Sequence, residues 1–355
     1  MTTEKKYNYG HINKSIEQSD IESLEKIFKE QPKLLCEEYN GDHDTPLHFC
    51  AEKGSLEVCE YLLKKGLDIN VSLKGNETAL NEAASVNRLD IAKWLLDNGA
   101  FVDGTDTVLL SPMMSAVYFD HYEMVKMLVE YGANVNRMHI RNGRLPLDIA
   151  LSRKYENIAE YLKSQGAKSR YILPDWVEND SEGSGILGYI TLTAGEILPV
   201  DIAITNNIVQ KLAIVNNEKN RMLFTFGLFK LHQPSIELFI VLPEYWNFYI
   251  KTNENQFPIL LLSRLADLVK DGLKIEEGYQ ILANDPKYSD LAWLKDLAGF
   301  FASNLMWKSK TGKNEQYNEA ALLSLIPINK TRNGFAKQSV EKNREAGWTK
   351  ITLNI

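Results

Sequence analysis

A period of about 33 residues runs through the first half of this 355-residue chain. Similar segments begin at Thr45, Thr78, Ser111 and Leu145, so their spacing is almost constant. Each segment contains two helical patterns, and a glycine follows the second one: Gly66, Gly99, Gly132 and Gly166. Self-similarity at such a period is typical of a solenoid, in which each unit packs mainly against its neighbours.

Helix-start and helix-end signals support this interpretation. Thr45, Thr78 and Ser111 are good N-cap residues. Pro46 and Pro112 follow two of them at the first helical position, where the missing N–H costs nothing. The second helices, such as LEVCEYLLKKG and LDIAKWLLDNG, place apolar residues at helical spacing before the glycine. Because one such helix pair cannot bury its apolar stripe alone, the sequence predicts that the pairs stack.

The motif Thr45-Pro46-Leu47-His48, together with the period and the glycines, resembles the ankyrin repeat. The resemblance covers four units, and the divergent segment HINKSIEQSDIESLEKIFKEQPKLLC is predicted to cap their N-terminal end. It implies an all-α ankyrin-repeat solenoid over residues 1–170. It also implies that hairpin tips and first-helix residues line a concave face that binds a protein.

Carrying the ankyrin positions over to this chain predicts the residues of that protein-binding face. They are Asp42, Asp44, Glu52, Lys53, Lys74, Glu77, Ser85, Val86, Thr107, Val108, Leu110, Tyr118, Phe119, Arg141, Arg144, Ser152 and Arg153. The predicted face is acidic at one end, aromatic and aliphatic in the middle and basic at the other end. Apolar residues flanked by charge are typical of an interface with a hot-spot centre. The alternative is that the aromatic residues pack between repeats and the charges are simply solvated.

The segment TPLHFCAEKGSLEVC, residues 45–59, places a histidine beside two of the three cysteines. His48 and Cys50 are two residues apart, so on one helix they point to opposite sides and cannot hold one metal ion. Cys59 lies beyond Gly54 and is predicted to belong to a different helix. We therefore interpret the cysteines as packing residues and His48 as a structural hydrogen-bonding residue at a repeat junction. Reactive thiols are the alternative.

The repeat rhythm stops near Lys168, and residues 171–185 are predicted to form a linker. The segments ILGYITLTAG, LPVDIAIT, KLAIV, RMLFTFGLF and SIELFIVLP then predict strands. FPILLLSRLADLVKDG predicts an amphipathic helix that ends at Gly272, NEAALLSLIPI another buried element, SVEKNREAG a short helix and WTKITLNI a terminal strand. Strands interspersed with a few helices predict an α+β domain over residues 186–355.

Four segments of this second half resemble, in order, the suppressor-of-fused domain. They are TFGLF (Thr225–Phe229), ELFIVLPEYW (Glu237–Trp246), FPILLLSRLADLV (Phe257–Val269) and LLSLIPI (Leu322–Ile328). Phe229 stands where that family usually has serine, and the acidic residue often found after the Pro-Ile pair is not evident. Glu237, Leu242, Pro243 and Trp246 match the family motif and are expected to hold its core together.

The second resemblance implies a binding protein. Suppressor-of-fused domains in eukaryotes sequester a transcription factor, and their bacterial relatives are associated with immunity to polymorphic toxins. The two resemblances together imply an immunity protein that binds and neutralises a toxin. The alternative in the same class is a regulatory scaffold that sequesters a signalling or transcription protein.

Signatures of catalysis are missing from the sequence. It contains no HExxH, CxxC, GxSxG or dinucleotide-binding glycine pattern, so we expect no enzyme activity, no cofactor and no metal. An enzyme hidden in the second domain is the alternative. The net charge of −7 argues against a general nucleic-acid binder. No apolar run is long enough to span a bilayer, so we expect neither nucleic acid nor a membrane as a partner. The three cysteines give no disulfide framework, which fits a reducing compartment. Together with the lack of a secretory signal, this predicts a cytoplasmic protein.

Overall fold

The computed structural model describes residues 7–35, 45–72, 77–172, 182–215, 219–304, 309–310 and 319–330. The chain divides into two compact units. The first comprises Met1–Ile140 and Arg144–Tyr171, and the second comprises Arg141–Gly143 and Ile172–Ile355.

Helices build the described part of the first unit. They are α1 (Tyr9–Glu17), α2 (Ile21–Glu30), α3 (Pro46–Lys53), α4 (Leu56–Lys64), α5 (Ala79–Ser85), α6 (Leu89–Asp97), α7 (Pro112–Tyr118), α8 (Tyr122–Glu130), α9 (Pro146–Arg153) and α10 (Glu156–Ser164). A 3-10 turn, Pro32–Leu35, follows α2. The helix pairs predicted from the period are confirmed, with each pair from α3 onward occupying one repeat.

The ends of these helices follow the predicted capping chemistry. The Ser111 hydroxyl accepts a hydrogen bond from the Met114 N–H at 3.3 Å, and Pro112 is the first residue of α7. The four glycines after the second helices all have left-handed backbone angles, with φ between 78° and 94°: Gly66, Gly99, Gly132 and Gly166. Residues with a Cβ rarely adopt this conformation, which explains why glycine recurs at the position.

One continuous core joins the helix pairs. The first helices α3, α5, α7 and α9 each contact the next one along the chain, and so do the second helices α4, α6, α8 and α10. The residue two places after each N-cap, which is leucine or methionine, is almost fully buried: Leu47, Leu80, Met113 and Leu147. Each pair therefore buries its apolar stripe against its neighbours, as expected for a repeat array.

His48 joins one repeat to the next, because one of its ring nitrogens bonds within its own repeat and the other bonds to the following one. Its Nδ1 accepts from the Thr45 backbone N–H at 3.1 Å, and its Nε2 donates to the Glu77 carbonyl at 3.1 Å. Asn81, at the equivalent position of the next repeat, preserves the arrangement, because its Nδ2 donates to the Leu110 carbonyl at 2.7 Å. The interpretation of His48 as a structural residue at a repeat junction is therefore confirmed.

A second set of side chains ties the turns of successive repeats. Asn70 donates to the Gly99 carbonyl at 3.1 Å and accepts from the Phe101 N–H at 2.7 Å. Asn136 makes the equivalent pair of bonds to the turn of Gly166 and Lys168, at 3.2 Å and 2.7 Å. Although these bonds are exposed, they link the turn of one repeat to the turn of the next at two points each.

The two described cysteines are packing residues. Cys50 lies in α3 and Cys59 in α4, and both are fully buried. A hydrogen bond with Cys59, followed by burial, raises the pKa of the Cys50 thiol above its ordinary value. The thiolate is the reactive form, so a raised pKa disfavours reactivity. Cys36 lies outside the described residues.

The second unit contains a mixed sheet and helices. Its strands are β1 (Gly195–Thr205), β2 (Ile208–Val215), β3 (Asn220–Phe226), β4 (Ile236–Pro243), β5 (Gln280–Leu282), β6 (Leu297–Ser303), β7 (Ser309–Lys310) and β8 (Glu319–Asn329). Seven strands follow the order β1-β2-β3-β4-β8-β6-β5, and β7 pairs with β8. The β4–β8 pairing is parallel, and the other pairings are antiparallel. A sheet with helices of this kind fits the predicted α+β class.

Two described helices pack on this sheet. Helix α11 (Ser184–Thr193) buries Ile186, Leu187 and Ile190 in a cluster with residues of β1 to β4 and β8. Helix α12 (Asn253–Lys270) contacts β1, β2 and β3. It begins before the predicted start because the Thr252 hydroxyl caps it, accepting from the Asn255 N–H at 3.4 Å.

The prediction of a strand over ILGYITLTAG is wrong, because residues 184–193 form α11. Its apolar residues at positions 186, 187 and 190 share one helical face, whereas Leu192 is 84% exposed. A short apolar run does not by itself distinguish a buried strand from a helix. The segments SVEKNREAG and WTKITLNI lie outside the described residues, as does much of the predicted linker.

Residues 1–170 are expected to fold without the second half. The core cluster of the first unit runs from Ile12 to Leu162 and contains only residues of the repeats and the N-terminal cap. A fragment of residues 1–170 should therefore show a helical circular dichroism spectrum and a cooperative thermal transition. An aggregated fragment or a random-coil spectrum would contradict this expectation.

Substitution of His48 is expected to separate a structural role from a metal-binding one. His48→Ala removes the bond to Glu77 and should lower the free energy of unfolding by about 1–3 kcal/mol. His48→Asn should lose less, because Asn81 performs the same task in the next repeat. Urea unfolding of both variants measures the difference. Equal losses, or stoichiometric zinc in the parent protein that disappears with His48, would contradict the structural role.

Candidate protein-binding face

The C-terminal ends of the four first helices of the repeats occupy equivalent positions in successive repeats. We call these eight residues the first-helix row: Glu52, Lys53, Ser85, Val86, Tyr118, Phe119, Ser152 and Arg153. Because α3, α5, α7 and α9 contact one another in that order, their ends follow one another along the array. All eight residues belong to the face predicted from the sequence.

The middle of the first-helix row is apolar and exposed. Val86 is 38% exposed, Tyr118 is 41% exposed and Phe119 is 52% exposed. These residues do not simply pack between repeats. Single exposed apolar residues are ordinary, but adjacent exposed aromatic residues in register with an exposed valine of the preceding repeat form a patch.

Neighbouring side chains hold the two aromatic rings in place. The Tyr118 and Phe119 ring centroids are 5.1 Å apart in an edge-to-face arrangement. The His121 ring stacks on Phe119 with centroids 6.1 Å apart, and its Nε2 donates to the Ser85 carbonyl at 2.9 Å. His121 thereby restricts the Phe119 ring. It also provides a hydrogen-bond donor for the carbonyl group at the C-terminal end of the first helix of the preceding repeat.

Arg88 occupies the position equivalent to His121 and also donates to carbonyls at the end of the preceding first helix, including that of Glu52 at 3.4 Å. Its guanidinium donates to the Gly54 carbonyl at 2.9 Å. Arg88 and His121 are not among the residues predicted from the sequence for this face. Their equivalent positions in successive repeats could have indicated them, because each directly follows the turn between the two helices of its repeat. The turn residues, Asn87 and Asp120, have left-handed backbone angles.

The charged groups of the row differ at its two ends. At one end Lys53 and Glu52 pair at 2.9 Å. At the other end the Arg153 guanidinium lies 3.6 Å from the centroid of the Tyr118 ring, which is a close cation–π contact. A hydrogen bond to Tyr155, the largest influence, raises the pKa of Arg153 above its ordinary value, so the group stays charged.

Several residues of the predicted face are placed differently by the structure. Val108 is only 1% exposed, so the prediction that it contacts a partner is wrong. Its methyl group lies 3.1 Å from where a side chain at Gly104 would begin, so the turn packs tightly around it. Leu110 is half-buried against the core, and its carbonyl serves Asn81.

Polar residues of the predicted face also divide into different settings. Glu77 is half-buried, and its carbonyl accepts from His48. Arg144 adjoins the first-helix row, because its guanidinium donates to the Ser152 hydroxyl at 2.9 Å. Arg141 belongs to the second unit, where its carbonyl accepts from the Arg221 guanidinium. Asp42, Asp44 and Lys74 lie outside the described residues.

The second unit contains a fully buried carboxyl group. Glu237 accepts hydrogen bonds from the Thr225 hydroxyl at 2.5 Å and from the backbone N–H groups of Gly227 and Phe229 at 2.6 Å and 3.2 Å. Burial raises the pKa of Glu237 from 4.5 to about 8, although these hydrogen bonds oppose the shift. The bonds join TFGLF and ELFIVLP, two of the segments that carry the suppressor-of-fused resemblance. The carboxyl group therefore holds a turn in place.

A metal site or a membrane-spanning helix would be recognisable among the described residues. Within those ranges, no group of three or more histidine, cysteine, aspartate or glutamate side chains could hold a metal ion. In the same part of the chain, no helix combines the length and the apolar character needed to cross a membrane.

Comparison with known proteins identifies the repeats. Residues 15–106 match the family described as ankyrin repeats in three copies, and residues 113–162 match ankyrin repeats in many copies. The N-terminal region therefore consists of ankyrin repeats, and such repeats are protein–protein interaction modules. Both matches end before residue 172, so the resemblance of residues 186–355 to the suppressor-of-fused domain stays a prediction.

This chain spans only part of the length of the relatives that it matches. The Drosophila melanogaster transient receptor potential cation channel subfamily A member 1 is 25% identical over 239 residues, which are 64% of this chain and 19% of that protein. Ankyrin repeat and SOCS box protein 11 of Mus musculus is 34% identical over 107 residues, 30% of this chain and 32% of that protein. An ankyrin repeat protein of Rickettsia felis is 35% identical over 130 residues, 33% of this chain and 55% of that protein.

The buried carboxyl group should make stability depend on pH. In the folded protein Glu237 keeps its proton up to about pH 8, whereas in the unfolded chain it releases it near pH 4.5. The contribution of Glu237 to the free energy of unfolding is therefore fully present below pH 4.5 and is lost as the pH rises to about 8. The change is on the order of a few kcal/mol.

Glu237→Gln provides the matched comparison, because it imitates the protonated group. Urea unfolding at pH 5 and at pH 8.5, followed by tryptophan fluorescence, should show a larger loss of stability with pH in the parent than in the variant. Parallel pH dependence of the two proteins would contradict this role for Glu237.

Proposed function

We propose that this chain is a non-catalytic binding protein that holds a protein partner on the first-helix row. The observation that carries the proposal is the pair of exposed aromatic rings, Tyr118 and Phe119, held between Arg153 and His121. Rings that are already fixed lose little conformational freedom when a partner covers them. Aromatic residues at the desolvated centre of an interface usually supply most of its energy.

The nature of the partner forms the finer part of the proposal. The suppressor-of-fused resemblance of residues 186–355 supports an immunity protein that binds and neutralises a toxin. The second candidate in the same class is a regulatory scaffold that sequesters a signalling or transcription protein. Affinity capture with the full chain, followed by co-expression, distinguishes them. Rescue of cell growth from a toxic partner supports immunity, and a changed reporter signal without toxicity supports the scaffold.

We further propose that both units contact the same partner. Two binding surfaces on one chain raise affinity through effective concentration when both can engage together. In that case the fragment of residues 1–170 binds the captured partner more weakly than the full chain does. Equal affinity of fragment and full chain would assign the whole interface to the repeats.

Replacement of both rings should weaken binding of the captured partner. The double variant Tyr118→Ala/Phe119→Ala removes the apolar centre of the row and should reduce affinity at least tenfold, which corresponds to about 1.4 kcal/mol. Isothermal titration calorimetry with the captured partner measures the change. Circular dichroism must show unchanged helix content, as expected for side chains that are half exposed.

A matched control comes from aromatic residues elsewhere on the repeats. Phe101 is 58% exposed in a turn, and Tyr131 is 36% exposed at the end of α8. The variant Phe101→Ala/Tyr131→Ala removes the same two ring types and should bind normally. An affinity within about twofold of the parent for Tyr118→Ala/Phe119→Ala would exclude the first-helix row as the docking surface.

A further inference from the structure

We infer that the first-helix row selects an acidic segment of the partner, in which a carboxylate binds Arg153 while a nearby apolar side chain covers Phe119. This inference rests on the proposed function and names the chemistry that the row recognises.

The Arg153 guanidinium is prepared to bind a carboxylate. Its central carbon lies over the Tyr118 ring, 3.6 Å from the centroid, and its side-chain hydrogen bonds are to the phenols of Tyr155 and Tyr118. A guanidinium has five N–H donors around its edge, so two phenol partners leave most of them for an incoming group. Their fork geometry matches the two oxygens of a carboxylate, and stacking on an aromatic ring fixes its orientation.

The charge around Arg153 favours an anion at this end of the row. Exposed Lys154 follows it directly, and Arg144 reaches the neighbouring Ser152. At the opposite end Glu52 already neutralises Lys53 at 2.9 Å. The carboxylate of the partner is therefore drawn toward the fourth repeat, where two exposed positive charges are adjacent in the chain.

Phe119 supplies the apolar contact beside this charge. It is the most exposed ring of the row, and the rings of Tyr118 and His121 flank it. Asp120, the acidic residue closest in sequence, lies in the turn after Phe119 and is exposed. Since Asp120 repels a carboxylate, the acidic residue of the partner belongs on the Arg153 side and its apolar residue on the Phe119 side.

The spacing of the helices sets the spacing in the partner. Phe119 follows α7 and Arg153 ends α9, and packed helices are about 8–10 Å apart. An extended chain advances about 3.3 Å per residue. The recognised segment therefore has its apolar residue and its acidic residue about two to three positions apart.

Selection from a library tests this chemistry without knowledge of the partner. A random dodecapeptide display library is selected on the full chain and, in parallel, on Phe119→Ala. Peptides that bind the parent but not the variant should be enriched in aspartate or glutamate two or three positions from an apolar residue. Affinity of the most enriched peptide, and of its version with glutamine or asparagine at that acidic position, is then measured on the parent and on Arg153→Gln.

The expected result is a thermodynamic coupling between the two charges. Either neutralisation alone should weaken binding about tenfold, and the second should then cost little more, because both remove the same contact. Arg153→Lys should restore only part of the affinity, since an ammonium lacks the planar fork. Lys163→Gln, an exposed charge change at the end of α10, is the control and should bind like the parent.

The outcomes separate this inference from the proposed function. Enriched peptides that depend on Phe119 but lack acidic residues, or an acidic peptide insensitive to Arg153→Gln, would overturn the acidic recognition while leaving the docking surface in place. Enrichment that is the same on Phe119→Ala, or no enrichment above an uncoated support, would overturn both.

Discussion

Each repeat of this protein has backbone carbonyls and an apolar stripe that its own two helices cannot satisfy. The neighbouring repeat supplies what is missing. His48 reaches the Glu77 carbonyl of the following turn, and His121 reaches back to the Ser85 carbonyl at the end of a helix. These bonds act at fixed positions within the repeat, while the same contact buries the helix stripes. Stacking is therefore the condition on which every other feature of the first unit depends.

Stacking also determines which side chains remain for a partner. Side chains that face a neighbouring repeat are buried and cannot contact a partner, as at Val108 and Asn81. The ends of the first helices are not covered in this way, and the third repeat carries Tyr118 and Phe119 there. The side chains that fix these rings, Arg153 and His121, come from the next repeat and the same one. A rigid surface for binding thus follows from the way the array is built.

In the second unit, a strand of the sheet carries a buried carboxyl group. Glu237 is bound by the hydroxyl of Thr225 and by the N–H groups of Gly227 and Phe229, so it closes the turn between β3 and β4. Burial raises the pKa of this group, and its hydrogen bonds specify one arrangement of the chain around it. The bond from Phe229 uses the backbone N–H, so it does not depend on the side chain at that position.

The sequence by itself determined the repeat array, since the period, the capping residues and the glycines are local signals that need no knowledge of distant contacts. It also predicted the structural role of His48 and four of the eight described strands of the second unit, β1 to β4. Tertiary structure alone decided that Val108 is buried, that residues 184–193 form a helix, and that Arg153 lies on Tyr118. Burial and ring contacts depend on which elements meet across the core. A short apolar run fits a strand or a helix equally well until its neighbours are in place.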